Sequence, residues 1–214
     1  MKLKIQLLVD NKTSWIIPYV KSFKKKLIKK GFSSNLIHEH KNVISGDILV
    51  LLSCERIFKN LKLNRYNLVI HESNLPHGKG WSPLTYQVLE GKNKIPITLF
   101  EASTNIDTGG YYYKDEIFLH GNELISEIRE KQAKKTFLLL EKFIYDYKKV
   151  VKMNQKGIST FYKKRTLNDS QLNENNSIVK NFNLLRVVDN EKYPAFFRHK
   201  GCKYIIKIYK DEEK

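Results

Sequence analysis

The sequence predicts an α/β protein built on a mostly parallel sheet with flanking helices. Three observations carry this. Residues 47–53 (DILVLLS) form an apolar run with no alternation, the pattern of a strand buried on both faces and therefore paired in parallel. Ile16, Val20, Phe23, Leu27 and Ile28 recur at helical spacing earlier in the chain. The order strand, helix, strand, strand with short connections is that of a sheet covered by crossover helices, the Rossmann type of arrangement.

Taken in order, Lys2 to Val9 alternates and then runs apolar, which predicts a first strand, at an edge or near the centre of the sheet. Asp10-Asn11 breaks it. Thr13 or Ser14 is positioned to cap a helix reaching Lys30 and stopping at Gly31. The lysine runs 24–26 and 29–30 are read as its solvated side. Phe32 to His38 is a second strand and Asp47 to Ser53 a third. Asn67 to Ile70 is a short buried strand that delivers His71 into a loop punctuated by glycine and proline. Ser82-Pro83 reads as an N-cap with proline at the first helical position, and Gly91 closes that helix. Ile95 to Glu101 and Gly110 to Leu119 are further strands. Asn122 to Lys149 is the longest helix, with Leu124, Ile128, Phe137, Leu140 and Ile144 on its apolar stripe. Residues 150–160 read as a linker or crossover. The rest predicts a helical stretch near Ser177 to Val187 and a β-hairpin turning near Lys200-Gly201. Two units result, 1–150 and a small C-terminal extension, 151–214.

Composition narrows the function classes. In 214 residues there is room for one good core and a small appendage. No apolar stretch is long enough for a membrane span, and residues 1–10 read as a strand rather than a secretory leader. The two cysteines, Cys54 and Cys202, are far apart and match no metal spacing, which fits a reduced, cytoplasmic setting without a disulfide or a metal. With 39 Lys and Arg against 22 Asp and Glu, the formal charge is +17. That invites a nucleic-acid reading, but the lysines are scattered over predicted helix faces, so nucleic acid is not the expected partner. No Gly-x-Gly-x-x-Gly follows the first strand, so dinucleotide binding in the usual way has no support.

The candidate site lies in residues 67–110. His71 and Asp107 stand at the ends of two predicted strands, where open α/β sheets bind ligands. The wording His71-Glu72-Ser73-Asn74-Leu75-Pro76, then Gly78-Lys79-Gly80-Trp81-Ser82-Pro83, then Asp107-Thr108-Gly109 resembles the formyltransferases that use N10-formyltetrahydrofolate. Their pattern is Asn-x-His-x-Ser-Leu-Leu-Pro, a glycine-containing loop followed by proline, and Leu-Asp-Thr-Gly. The resemblance covers residues 1–150 and, more weakly, Arg165-Thr166 and Asp169-Ser170 beyond them. Within the family the wording is most similar to the sugar-nucleotide N-formyltransferases of the pseudaminic-acid type.

The resemblance implies a Rossmann-like formyltransferase fold and transfer of a formyl group from N10-formyltetrahydrofolate. The acceptor would be the 4-amino group of a nucleotide-linked dideoxy sugar, UDP-4-amino-4,6-dideoxy-N-acetyl-altrosamine in particular. His71 is then the base, and Asp107 either orients it and stabilises its charged form or holds a water that relays protons. The family asparagine that meets the formyl oxygen is replaced by Val69, which leaves protonated His71, a backbone N–H or Asn74 to take that role. The folate would lie along Leu52, Ser53, Cys54 and Ile57, and along Glu101, Ala102, Ser103 and Thr104. The sugar nucleotide would meet Asp10, Asn11, Ser14, Trp15 and Trp81, with Lys79 and Arg165 at its diphosphate. The other histidines, 38, 40, 77, 120 and 199, are read as surface or local structure. A homodimer is expected. The alternatives are formylation of methionyl-tRNA, which the charge favours and the short tail does not, and a non-catalytic folate- or nucleotide-binding protein on the same scaffold.

Overall fold

The computed structural model describes residues 2–211. A six-stranded sheet organises the chain, in the order β2-β1-β3-β4-β6-β7. Its strands are β1 (Lys4–Leu8), β2 (Ser33–Ile37), β3 (Gly46–Leu51) and β4 (Asn64–His71), with β6 (Lys94–Glu101) and β7 (Tyr111–Phe118). The short β5 (Lys79–Gly80) lies outside this sheet. β1 to β4 pair in parallel, as their continuous apolar runs require. β6 is antiparallel to both neighbours. The expected mostly parallel α/β sheet is present, with its reversal at β6.

The helices are α1 (Ile17–Lys29), α2 (Pro83–Leu89), α3 (Ile125–Asp146) and α4 (Ile178–Leu185). Val20, Phe23 and Leu27 of α1, Leu84 and Val88 of α2, and Ile128, Leu139, Leu140, Phe143 and Ile144 of α3 enter one core with Ile5, Leu7, Ile48, Val50 and Leu68. Each such buried side chain is worth about 1.5–3 kcal/mol. The opposite sheet face carries a smaller cluster, Leu8, Ile37, Val43, Leu49, Leu51 and Phe58, drawn from strands and loops alone. The connections 38–45 and 52–63 carry only single 3-10 turns, His40–Asn42 and Leu61–Leu63, and no α-helix. One sheet face is therefore covered by loops where the sequence pattern predicts helices, and β4 presents Val69 and, by alternation, His71 on that face.

Several expectations are corrected locally. Neither Thr13 nor Ser14 caps α1: the Asn11 side chain accepts the Thr13 N–H at 2.9 Å and its hydroxyl at 2.9 Å, drawing 11–14 into a turn, and Ile16 is the N-cap. Ile28 is 51 % exposed, because Leu27 occupies the inward direction and the next residue is rotated away from it. Ser82 sits in the left-handed region (φ +47°) and makes no side-chain cap. Ser177, by contrast, accepts the Lys180 N–H and caps α4.

Beyond α3, residues 150–163 form an extended strap. Met153 and Tyr111 exchange backbone hydrogen bonds of 2.8 Å each way, and β8 (Phe161–Tyr162) pairs in parallel with β5. The hairpin of β9 (Ala195–His199) and β10 (Cys202–Ile206) turns at Lys200-Gly201, both with positive φ, as a two-residue loop demands. Leu172, Leu185, Val188 and Ala195 form a small core under it. Arg186, 1 % exposed, ties this region to the body: it donates to Glu123 O (3.0 Å), Glu123 Oε2 (2.9 Å) and Asn93 Oδ1 (3.3 Å). Among the described residues no helix is long and apolar enough to cross a membrane.

Candidate active site

His71 ends β4 and is 7 % exposed. Because β6 is antiparallel, its end at Glu101 lies opposite Leu68, while His71 lies opposite Thr98. The two strand ends are thus not at one sheet edge, as the sequence suggests. The loop after β6 folds back instead and carries Asp107 to His71, with Oδ2 at 3.7 Å from Nε2. Gly109 makes the fold-back feasible: a Cβ there would meet Glu101 O at 1.6 Å. Asp107 has φ +51°, a conformation a non-glycine residue adopts only when its surroundings hold it.

Both side chains are engaged by the Gly78–Gly80 loop. His71 Nε2 lies 2.8 Å from Gly78 O, and a carbonyl can only accept, so Nε2 carries the proton. The lone pair of the neutral ring is then on Nδ1, which has no hydrogen-bond partner among the described residues. Asp107 Oδ2 accepts the Gly80 N–H at 2.9 Å. At 3.7 Å the Asp107 carboxylate is beyond hydrogen-bond distance of Nε2 and does not accept its proton. The neighbouring Glu72 has its carboxyl pushed up by burial, while the His71 charge and the amide of Gln132, at 2.8 Å, pull the other way.

The segments expected to hold folate adjoin. Cys54 and Ala102, one from each, pack against the cluster that also takes Val69, two residues before His71 in β4. Their side chains are largely spoken for. Leu52 lies in the main core. The Cys54 thiol donates to Leu8 O at 3.4 Å and is pushed up to about 12, chiefly by burial. Glu101 accepts the Asn67 N–H and the Tyr112 hydroxyl at 2.7 Å each. Ser103 bonds Thr108 Oγ1 at 2.7 Å, whereas Ser53, Ile57 and Thr104 are exposed. Most of these side chains are therefore committed to the fold rather than free to hold a ligand.

Asp10 and Asn11 line an open cavity of about 720 Å³ with His38, His40, Glu55 and Arg56. It lies at the C-terminal ends of β1, β2 and β3, where the strand order switches direction. Asp10 itself is consumed there: it accepts the Glu55 and Arg56 N–H groups (2.9 and 3.0 Å) and faces His40 Nε2 at 3.1 Å. His38 and His40, read from the sequence as local or surface residues, are part of this wall. Trp15 is elsewhere, against Tyr19 and under the Arg129 guanidinium at 5.6 Å, and the Ser14 carbonyl accepts the Ile17 N–H.

The remaining expected contacts are distributed otherwise. Lys79 is 5 % exposed, its ammonium on Ser159 Oγ at 3.0 Å. Arg165 donates to Asp169 O at 2.7 Å, and Trp81 lies under Lys164 Nζ. Asn74 is exposed, its Oδ1 held by Lys114 at 2.6 Å, and no hydrogen bond joins it to His71 or Asp107. The sequence reading of 150–160 as a linker or crossover misses its role: residues 155–162 bond both site loops, and no local pattern announces it. Among the described residues no group of three or more His, Cys, Asp or Glu is arranged to hold a metal.

No family model matches the chain. The methionyl-tRNA formyltransferase of Mycoplasma mycoides is 28 % identical over 135 residues, 61 % of this chain and 42 % of that protein. The chain spans less than half the length of the curated relatives it matches. Among solved structures, methionyl-tRNA formyltransferase from Clostridium thermocellum superposes with a TM-score of 0.82 at 20 % identity, over 99 % of this chain and 94 % of that one. A 4-N formyltransferase from Francisella tularensis gives 0.73 at 16 %, covering 99 % of both chains. HypX from Aquifex aeolicus in complex with tetrahydrofolic acid gives 0.79 at 13 %, over 97 % of this chain and 38 % of that one. The fold is that of these solved formyltransferases.

Proposed function

We propose that the protein is an N-formyltransferase that takes its formyl group from N10-formyltetrahydrofolate and gives it to the amine of a nucleotide-linked 4-amino-4,6-dideoxy sugar. The observation that carries this reading is the approach of His71 and Asp107, 36 positions apart in sequence, to 3.7 Å in a buried setting. A neutral amine attacks the formyl carbon, and a C–N bond forms. His71 Nδ1 takes the amine proton while Asp107 stabilises the imidazolium. The bond from the formyl carbon to the folate nitrogen then breaks, and the proton passes to that leaving nitrogen. With Val69 in place of a donor and Asn74 held by Lys114, the developing oxyanion is left to the imidazolium and to backbone N–H groups. Folate would lie along 52–57 and 101–104, beside the cluster on which Cys54 and Ala102 both pack. The cavity at Asp10 and Asn11 would take the carrier nucleotide, with Lys12, Lys41 and Arg56 on its wall for the diphosphate. A UDP-linked substrate of the pseudaminic-acid type is the specific acceptor proposed.

The test is incubation with N10-formyltetrahydrofolate and a panel of UDP- and dTDP-linked 4-amino sugars, following tetrahydrofolate release. His71→Ala should lose about 10²- to 10⁴-fold in rate while remaining folded. A near wild-type rate in that variant sinks the assignment of the base. A second reading, formylation of methionyl-tRNA, is favoured by the curated relatives and the charge of +17. Formylation of charged tRNA with no turnover of any sugar would select it.

A further inference from the structure

We infer that the strap of residues 153–162 is the positioning element of the His71–Asp107 pair, with Thr160 and Gln155 as positioning residues. The inference rests on the proposed transfer for its catalytic consequence, but its geometry stands by itself. The Gly78–Gly80 loop sets both side chains, through Gly78 O on His71 and the Gly80 N–H on Asp107. That loop belongs to no strand of the main sheet. Its own anchors are on the strap. Thr160 Oγ1 accepts the Gly78 N–H at 2.8 Å, Thr160 O accepts the Lys79 N–H at 2.9 Å, and Tyr162 O accepts the Trp81 N–H at 3.1 Å. The fit is close: a Cβ at Gly80 would stand 2.4 Å from Tyr162 O.

The same strap holds the other loop. The Gln155 amide nitrogen donates to Asp107 O at 3.0 Å and to Gly109 O at 2.7 Å, using both of its protons. Its Oε1 is buried without a partner among the described residues. The side chain is thus placed for its donors alone, around the residue whose positive φ needs support. One continuous segment therefore fixes the two halves of the pair relative to each other. Neither residue touches the imidazole or the carboxylate, so both act through the loops.

Thr160→Val keeps the shape of the side chain and removes the hydroxyl, Thr160→Ser keeps the hydroxyl, and Gln155→Leu removes the amide. In ¹⁵N-labelled protein, the His71 Nε2–H should give an imidazole signal protected from exchange with water. It should be lost in Thr160→Val and retained in Thr160→Ser. Gln155→Leu leaves Gly78 anchored, so its signature is kinetic. In turnover, Thr160→Val and Gln155→Leu should lower kcat by up to about 10²-fold, as for a misplacement of about 1 Å, with KM for the amine held within a factor of two. Thr160→Ser should restore kcat. A protected signal and wild-type kcat in Thr160→Val overturn the inference, as does equal loss in the serine and valine variants. If the wild-type protein transfers no formyl group, the proposed function fails while the imidazole signal still decides whether the strap holds His71.

Discussion

Glu123→Gln tests the joint between the C-terminal region and the body. Glu123 is 3 % exposed and each of its oxygens only accepts: Oε1 from the His120 N–H and Lys131, Oε2 from the Gly121 N–H and Arg186. A glutamine there must turn an NH₂ toward groups that are all donors, and it leaves Arg186 buried without a counter-charge. Burial alone would push the carboxyl up, but Lys131 and the surrounding N–H groups outweigh it and hold it at about 2. The drop from 4.5 is worth about 3 kcal/mol at about 1.4 kcal/mol per unit. Breaking a buried pair costs about 3–5 kcal/mol, in the same range. A depressed carboxyl stabilises the fold above its unfolded value and loses that contribution as pH falls toward its folded value. Urea unfolding of the two proteins should therefore differ by about 3 kcal/mol at pH 7 and by only about 1 kcal/mol at pH 3. A difference that does not change between those pH values would refute the reasoning, because it would mean the carboxylate charge is not what stabilises the joint.

Two further outcomes are expected. Gly80→Ala places a Cβ 2.4 Å from Tyr162 O at φ +94°, so it should cost about 2–4 kcal/mol and weaken the strap contact, measured as a lower urea midpoint and a loss of the His71 imidazole signal. Cys54, pushed up to about 12 by burial, should resist a thiol reagent at pH 8 while exposed Cys202 reacts; one equivalent labels in the native protein and two in urea.

The candidate pair was singled out because His71 and Asp107 stand in wordings that resemble the formyltransferase motifs, and the strands before them are strongly apolar. The direction of β6 was not legible: the run Ile95 to Glu101 is apolar enough to be buried either way, and hydrophobic pattern carries no information on strand polarity. The burial of Lys79 was hidden for a related reason. Its neighbours in sequence are glycines, and the Ser159 that receives it lies 80 positions on.

By itself the sequence determined the elements, the parallel half of the sheet, the C-terminal hairpin and the two residues proposed for the chemistry, since periodicity and turn residues act over a few positions. Only the tertiary structure decided which face of the sheet lacks helices, that Asp107 returns to His71 from a reversed strand, and that the strap clasps both loops. Those depend on long-range contacts in which at least one partner is a backbone group, and a backbone N–H or carbonyl is the same in every residue but proline.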